Sequence, residues 1–230
     1  MTIPRATSSF TTTWLSTEGS TLNEGDASLG SLALTPHTVG TTVDISRQAM
    51  IGLGASGSAF VQGELFGAKD QEVDRAFVNG ASASGEPTGL LTLSGTGSQS
   101  GSSLAWSGVL AMLETAEKYD ETGSSAWIMS TDVAKLLRGR ERAAGSGFIL
   151  DADKIAARPA LASYTIPSGT LIVAPWDRVV MGSWGATEIT ITPYASASNF
   201  QRGIISVRVM ASIDFGVDHP SMVSKSTSIT

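Results

Sequence analysis

The chain has 230 residues, of which 41% are hydrophobic and 16% are charged, and its formal net charge is −6. This composition supplies a sizeable core and excludes extensive disorder, and the absence of cysteine excludes disulfides, thiolate nucleophiles and thiolate zinc sites. The sequence has no basic stripe that would read nucleic acid, no apolar run near the roughly 18 residues of a membrane span and no signal-peptide core, so we expect a soluble protein made in the cytoplasm.

The first 50 residues favour β-structure. Threonine and aromatic residues dominate residues 8–18, apolar residues recur at 32–34 and 41–46, and residues 23–26 have the composition of a turn. We therefore expect two long strands joined as a hairpin. A hairpin is marginal in water on its own, and this one has no obvious core, so it should pack on another surface.

One long helix is predicted over residues 59–79. Apolar residues recur there at near-helical spacing with charged residues between them, and Asn79 followed by Gly80 is a good helix stop. Residues 80–103 are rich in glycine and serine, and they predict loops on either side of a short strand at 90–93.

The remainder of the chain mixes helices with short strands. We expect, in chain order, a helix at 104–119, a strand at 124–129, a helix from the cap residues Ser130, Thr131 and Asp132 through Leu137, and strands at 170–173, 178–181, 187–192 and 203–215. Residues 194–201 should form the loop between the last two strands. The pattern is that of an α+β fold with a protruding β-hairpin.

The segment Gly52-Leu53-Gly54-Ala55-Ser56-Gly57 fits a dinucleotide-binding fingerprint between a strand and a helix. In that role it would hold a pyrophosphate at the helix N-terminus. The predicted helix runs into a Gly/Ser-rich loop, however, and not into a second parallel strand with an acidic residue. We therefore favour a flexible joint between the hairpin and the helix.

Other candidate sites for chemistry are weak. His219 could form a triad with Asp214 or Asp218, but no nucleophile elbow is present in the sequence. Asp151 and Asp153 are too few ligands to indicate a cation site.

A basic group consists of Lys135, Arg138, Arg140 and Arg142. Acidic residues are interspersed with it, so we interpret it as a solvated face or as a contact with a neighbouring subunit. We predict no catalytic, cofactor-binding or metal-binding residue, and no enzymatic activity.

Several short phrases run along nearly the whole chain. They are Trp14-Leu15-Ser16-Thr17-Glu18-Gly19, Val43-Asp44-Ile45-Ser46-Arg47-Gln48, Ala76-Phe77-Val78-Asn79-Gly80, Glu86-Pro87-Thr88-Gly89-Leu90-Leu91, Ala126-Trp127-Ile128-Met129-Ser130, Val179-Val180-Met181-Gly182-Ser183-Trp184-Gly185, and Asp214-Phe215-Gly216-Val217 with His219-Pro220. In order and spacing they resemble the major capsid proteins of tailed bacteriophages and prophages, the Hong Kong 97-type shell family.

The resemblance implies an α+β, Hong Kong 97-like capsid fold. Residues 1–48 would be the extended β-hairpin loop, residues 49–87 the first part of the peripheral domain with its spine helix, residues 88–185 the axial domain, and residues 186–230 the second part of the peripheral domain. Residues 194–201 would lie at local three-fold contacts between subunits.

The resemblance also implies a function. The chain would be a structural protein of the virion, made in the host bacterial cytoplasm, that assembles with itself into the hexamers and pentamers of an icosahedral head. A portal, a scaffold and a maturation protease would be further partners, packaged DNA would be enclosed without sequence-specific contact, and no membrane would be involved. Two alternatives stay open: an encapsulin-like compartment shell, which a cargo-binding groove would distinguish, and a surface β-rich adhesin, against which the lack of a signal peptide counts.

Two departures from the family pattern carry expectations. In the family, an N-terminal arm precedes the hairpin loop. Met1 falls at the first strand of that loop here, so we expect this preceding N-terminal arm to be missing. The type member of the family crosslinks its shell through a lysine of the hairpin loop, whereas Lys69 is the first lysine here, and the acceptor and glutamate positions fall on Gly203 and near Met210. We expect no covalent crosslinking of that kind.

Overall fold

The structure, a computed structural model, describes residues 1–6, 14, 17–18, 29–54, 57–83, 85–118 and 123–230. The helices in these residues are α1 (Arg47–Leu53), α2 (Gly57–Asn79), α3 (Trp106–Glu117), α4 (Thr131–Gly139) and α5 (Ala197–Gln201). The strands are β1 (Thr2–Ala6), β2 (Leu29–Ala33), β3 (His37–Ser46), β4 (Gly97–Ser100), β5 (Ser125–Ser130), β6 (Lys154–Ile155), β7 (Arg158–Ser163), β8 (Leu171–Pro175), β9 (Val179–Ser183), β10 (Glu188–Thr192), β11 (Ile204–Val217) and β12 (Ser224–Thr227). Within the described ranges, no helix is long and apolar enough to cross a membrane.

Strand β11 is the central strand of one sheet. β3 pairs antiparallel along one side of β11, and β10 and then β9 pair antiparallel along the other side. Side chains alternate between the faces of a strand. Odd-numbered residues of β11 such as Val209 pack under Leu65 of α2, and even-numbered residues such as Gly216 lie on the opposite face, where Leu32 approaches.

A six-stranded sheet in the order β4-β12-β8-β5-β7-β6 forms the other half of the molecule. The central strand β8 is buried at every residue, as its uninterrupted apolar sequence requires. Helices α3 and α4 contribute Met112 and Leu137 to the core of this half. Trp127 of β5 is fully buried there, and its indole N–H donates to the carbonyl of Ile155 at 3.1 Å.

A separate apolar cluster joins the two halves at the C-terminal end of α2. Val78 packs there with Ile172 of β8 and Val217 of β11. The ring centroid of Phe77 lies 5.0 Å from that of Phe215 and 6.1 Å from that of Trp176. These contacts bring residues of both sheets onto one helix end, so they fix how the halves sit together.

Most predicted elements after the hairpin are confirmed. The long helix spans Gly57–Asn79, and the strands near 124–129, 170–173, 178–181, 187–192 and 203–215 form with shifts of one to two residues at their ends. The helix predicted over 104–119 is shorter, Trp106–Glu117, and the helix predicted through Leu137 spans Thr131–Gly139. Its N-cap is Ser130, which makes no side-chain capping hydrogen bond to the backbone.

The strand predicted at 90–93 is wrong. The backbone amides of Leu90 and Leu91 donate instead to the carbonyls of Phe77 and Val78, so this segment closes the end of α2. Its apolar residues are explained by burial, because Leu90 lies in the cluster between the halves. The nearby strand is β4, a Gly/Ser-rich segment that pairs parallel with β12.

The pairing predicted for the hairpin is also corrected. β1 pairs antiparallel with β2, while the segment at 41–46 lies in β3, which pairs with β11 along its whole length. The predicted turn at 23–26 and nearly all of the predicted strand at 8–18 lie outside the described residues. Several short elements were not predicted: α1, α5, β6, β7 and β12.

Candidate assembly surfaces

The first candidate surface is a two-stranded ribbon, β1 with β2, which we call the arm. Its strands pair only with each other among the described strands. Ile3 lies opposite Leu32 in the register and both are half-buried, whereas Pro4 and Leu29 are exposed on the outer side. The arm therefore has one face toward the body of the subunit and one face of mixed polarity, with Pro4, Leu29 and Ser31, that the subunit leaves open.

The second candidate surface is the exposed edge of the β11 sheet. Ile189 and Ile191 of β10 lie opposite Val209 and Val207 in the register, on the face that α2 covers. Helix α2 packs mainly on β3 and β11, so Ile191 at the edge remains 53% exposed. An apolar strip at a free strand edge is a typical site for contact with another chain.

A short loop extends this edge with two aromatic residues. Tyr194 and Phe200 are both largely exposed, and their ring centroids lie 5.5 Å apart. Together with Ile189 and Ile191 they form what we call the edge patch. The interpretation of residues 194–201 as an irregular loop is incomplete, because they contain α5, which begins at the side-chain cap Ser196.

One polar cluster anchors the aromatic loop to the sheet. The side-chain amide of Asn199 donates to the carboxylate of Asp44 on β3 at 3.0 Å and to the hydroxyl of Ser206 on β11 at 3.3 Å. The Ser206 hydroxyl in turn donates to Asp44. This cluster holds α5 against two strands that are far apart in sequence.

The third candidate surface is at the start of the long helix. Helix α1 has no buried residue, and it exposes Ile51 and Leu53. Phe60 in the first turns of α2 is also exposed. A helix that buries nothing within its own subunit gains little from tertiary packing, so a neighbour that covers this face would stabilise it.

The half built on the six-stranded sheet has its own exposed apolar residues. They are Phe148 on a tight loop, Leu161 on β7 and Tyr164 beyond its end. The loop around Phe148 is exposed from residue 143 to residue 148. This half can therefore also contact neighbours through apolar side chains.

The glycine-rich segment does not form a phosphate-binding loop after a strand. Helix α1 follows β3 and already contains Gly52 and Leu53, the first two residues of the segment; its C-cap is Gly54, whose φ of 66° favours glycine. Gly57 is already the first residue of α2. The segment connects two helices, so the expected joint between hairpin and helix contains a helical turn.

The candidate triad residues make structural contacts. The Asp214 carboxylate accepts hydrogen bonds from the backbone amides of Thr35 and Phe215, both at 2.8 Å. His219 lies 3.7 Å from the carboxylate of Asp218. Neither contact includes a serine side chain.

The pair Asp151 and Asp153 lies in an exposed turn. The carboxylate of Asp153 accepts from Arg138 at 3.2 Å. In the part of the chain that the structure describes, no group of three or more His, Asp or Glu side chains is placed to hold a metal ion.

The basic group is less solvated than its sequence indicates. Arg140 donates to the carbonyls of Leu104 and Thr230 at 2.8 and 2.7 Å, and the Arg142 guanidinium lies 5.2 Å from the ring centroid of Trp106. The interpretation as a solvated face holds for Lys135, which is exposed, and is wrong for the half-buried Arg140 and Arg142.

Two carboxylates and one lysine have shifted pKa values that report how this scaffold is held. Hydrogen bonds from the Ser130 side chain, the Ser168 hydroxyl and the Gly169 amide lower the pKa of Asp132 to about 2, against partial burial. The hydrogen bond that Arg75 donates to Glu72 lowers the pKa of Glu72. Partial burial lowers the pKa of Lys225, whose ammonium donates to the carbonyl of Leu91 at 2.8 Å.

The lysine nearest to the hairpin in sequence is poorly placed for crosslinking. The Lys69 ammonium lies 2.7 Å from the Asp70 carboxylate, and its side chain is only 12% exposed. Gly203, at the expected acceptor position, lies in a turn with a φ of 63° between α5 and β11. No side chain is available there to receive an amine.

Comparisons with known proteins agree on one family. The family model described as the phage capsid family matches residues 1–226. The major capsid protein of Halomonas phage phiHAP-1 is 23% identical over 216 residues, which are 92% of this chain and 35% of the relative. The chain thus spans about a third of the length of the curated relative that it matches.

Solved structures share the fold. The capsid of an empty GTA particle matches with a TM-score of 0.81 and 11% identity, over 100% of this chain and 84% of that chain. Gordonia phage Cozz matches with a TM-score of 0.76 and 12% identity over 98% and 80% of the two chains, and Mycobacterium phage Bobi with 0.76 and 12% over 99% and 84%. The α+β fold is that of Hong Kong 97-like capsid shells.

Proposed function

The chain belongs to the phage capsid family, and on this premise we propose that it is the major capsid protein of a tailed bacteriophage or prophage. It is a structural protein of the virion, and it assembles with itself into the hexamers and pentamers of an icosahedral head that encloses DNA. The observation that carries this proposal is the arm, a ribbon of two strands that pairs with no other described strand and keeps its outer face, with Leu29 75% exposed, open. Such a ribbon is stable when a neighbouring subunit covers it.

We assign the segments of the chain to the domains of a shell subunit as follows. Residues 1–48 provide the extended hairpin loop, although β3 within them is also a strand of the β11 sheet. Residues 49–87 and 186–230 provide the peripheral domain, and residues 88–185 provide the axial domain around the hexamer and pentamer centres. The edge patch in the second peripheral segment makes the local three-fold contacts.

A phage head accounts for the surfaces without enzymatic chemistry. The candidate catalytic residues Asp214 and Asp218 hold backbone and ion-pair contacts, so we propose no hydrolase, transferase or nucleotide-binding activity. The further partners are a portal, a scaffold, a maturation protease and packaged DNA that is not read by sequence. The matched relatives carry phage and GTA names, which favours a head over an encapsulin-like compartment or an adhesin.

The proposal is tested by the assembly state of the complete natural gene product. We expect pentamers, hexamers or closed shells in light scattering and electron microscopy at high protein concentration. A strictly monomeric protein with a verified native N-terminus would contradict the proposal. Saturable binding of ATP or NAD at micromolar concentration would contradict the absence of nucleotide binding.

A further inference from the structure

The base of the arm rests on two glycines of the body. A methyl group built at Gly216 of β11 would lie 2.6 Å from Cδ2 of Leu32 and 2.8 Å from Cδ2 of Leu34. One built at Gly182 of β9 would lie 3.1 Å from Cδ1 of Leu34. Gly216 therefore has no room for any side chain while Leu32 and Leu34 keep their present positions.

The two glycines lie on the same face of the sheet. Gly182 is paired with Asp214, and Gly216 is two residues beyond Asp214 on the same strand, so all three residues point toward the arm. Leu34 is 2% exposed in the depression that they form. We call Gly182, Asp214 and Gly216 the socket.

Asp214 fixes the corner where the chain leaves the arm. One carboxylate oxygen accepts from the amide of Thr35, immediately after Leu34, and the other accepts from its neighbour Phe215. On the other strand of the arm, Arg5 donates to the backbone carbonyl of Asp218 at 2.9 Å. The arm is thus held by the packing of its leucines on the two glycines. It is also held by the Thr35–Asp214 hydrogen bond just after β2 and by the hydrogen bond from Arg5 on β1.

A gap separates part of the arm from the body. A cavity of about 490 Å³ remains beside the socket, and its lining includes Arg5, Leu32 and Pro220. With so little packed interface, the direction of the arm depends on the few contacts at its base. A rotation at this base changes the direction in which β1 and β2 leave the body.

We propose that the socket is a positioning site for assembly, which sets the direction of the arm so that the arm meets the adjacent subunit. This inference rests on the proposed shell function, because it names the residues that present the arm. The glycines act by their lack of a side chain, and Asp214 acts by accepting two backbone hydrogen bonds.

The test begins with Gly216→Ala in the full chain. The added methyl group must displace the Cδ2 atoms of both Leu32 and Leu34, and the buried Leu34 has little room for another rotamer. We therefore expect the arm to turn and the yield of assembled particles to fall by roughly tenfold or more, since the same contact is lost in every subunit. Adding Leu32→Ala removes the nearer of the two clashing side chains, while Leu34 remains, and should restore part of the yield. If the two substitutions only destabilised the subunit, their losses would add. Recovery in the double variant therefore separates positioning from a general loss of stability.

A second measurement follows the arm in the unassembled subunit. The chain has no cysteine, so spin labels can be placed cleanly through Ser31→Cys on the arm and Ser221→Cys on the body, both exposed positions. We expect one narrow label-to-label distance with Gly216, a shifted or broadened distance with Gly216→Ala, and recovery with Leu32→Ala. Asp214→Asn, which keeps the shape but loses one acceptor, should also broaden the distance.

Gly139→Ala is the matched control, because a methyl group there has nothing within 4 Å. An unchanged distance and yield in Gly216→Ala, or no recovery with Leu32→Ala, would overturn the socket. If the unsubstituted chain forms no particles, the shell function fails instead, and the distance measurement still decides whether the socket directs the arm.

Discussion

The side-chain amide of Asn199 donates to the carboxylate of Asp44 at 3.0 Å, across 155 residues of sequence. Through this bond β3, which continues from the arm, holds the loop that carries Tyr194 and Phe200. The bond therefore couples two candidate assembly surfaces within one subunit.

Replacing Asn199 should loosen the edge patch without unfolding the subunit. We expect Asn199→Ala to lower the free energy of unfolding by only about 1 to 2 kcal/mol, the net value of two partly exposed hydrogen bonds. The particle yield should fall more than this loss explains, because the aromatic pair is no longer held. Thermal unfolding and particle yield are measured side by side.

The neighbouring residue Ser198 provides the control. Its side chain is exposed on the same short helix, so Ser198→Ala should leave both measurements unchanged. Equal particle yields for the two variants would show that Asn199 does not position the loop.

The stability of the half built on the six-stranded sheet should depend on pH through Asp132. The folded-state pKa of about 2 lies below the ordinary value of 3.8, so the ionised carboxylate favours the folded state. The stabilisation is present above about pH 4 and is lost as the pH falls through the folded pKa. We therefore expect Asp132→Asn to lower the melting temperature at pH 7 and to have a much smaller effect near pH 2.

Asp151→Asn is the control for this titration, because Asp151 is exposed and contributes only backbone contacts to its turn. Its melting temperature should follow that of the unsubstituted chain at every pH. A loss in Asp132→Asn that is the same at both pH values would contradict the assignment to the ionised carboxylate. The expected size is modest, since Asp132 is largely exposed to solvent.

The edge patch should matter for association and little for folding. Ile191 is 53% exposed in the isolated subunit, so Ile191→Asp leaves a solvated carboxylate there and should change the melting temperature little. In an assembled particle the same carboxylate would be buried at a subunit contact, which is strongly unfavourable. We expect particle yield to collapse in Ile191→Asp and to persist in Ile191→Val, and normal yield in both would place Ile191 outside the interfaces.

Sequence reasoning succeeded where one local signal fixes the structure. The alternation through β11 and the helical spacing before Asn79 both have the period of the element that forms. It failed at 90–93, where the apolar residues serve a cluster between the two halves and not a sheet. Nothing local distinguishes these two reasons for burying Leu90.

The site residues that sequence reasoning missed are the ones that depend on long-range contacts. The role of Gly216 is defined by Leu32, 184 positions earlier in the numbered chain, and that of Asn199 by Asp44. Gly216 and Asp214 lay within phrases that resembled the family, but the resemblance gave them no role. The partner strand of β3 could not be inferred either, because a hairpin and a pairing with β11 satisfy the same alternation.

Subunits of an assembled particle should be held together without covalent bonds. The chain has no cysteine and no lysine before Lys69, Lys69 is mostly buried beside Asp70, and Gly203 offers no acceptor side chain. The subunits must then be held by burial of apolar surface, worth roughly 25 cal/mol per Å², by hydrogen bonds at strand edges and by polar contacts around each interface. These weak contacts can hold a particle because many copies act together. We expect purified particles, boiled in detergent without reductant, to run as one band at the mass of a single subunit on a denaturing gel. A ladder of multimers would contradict this expectation, and the first lysine to replace would then be the exposed Lys118, whose ammonium is 3.3 Å from Glu114, with Lys69 as the buried comparison.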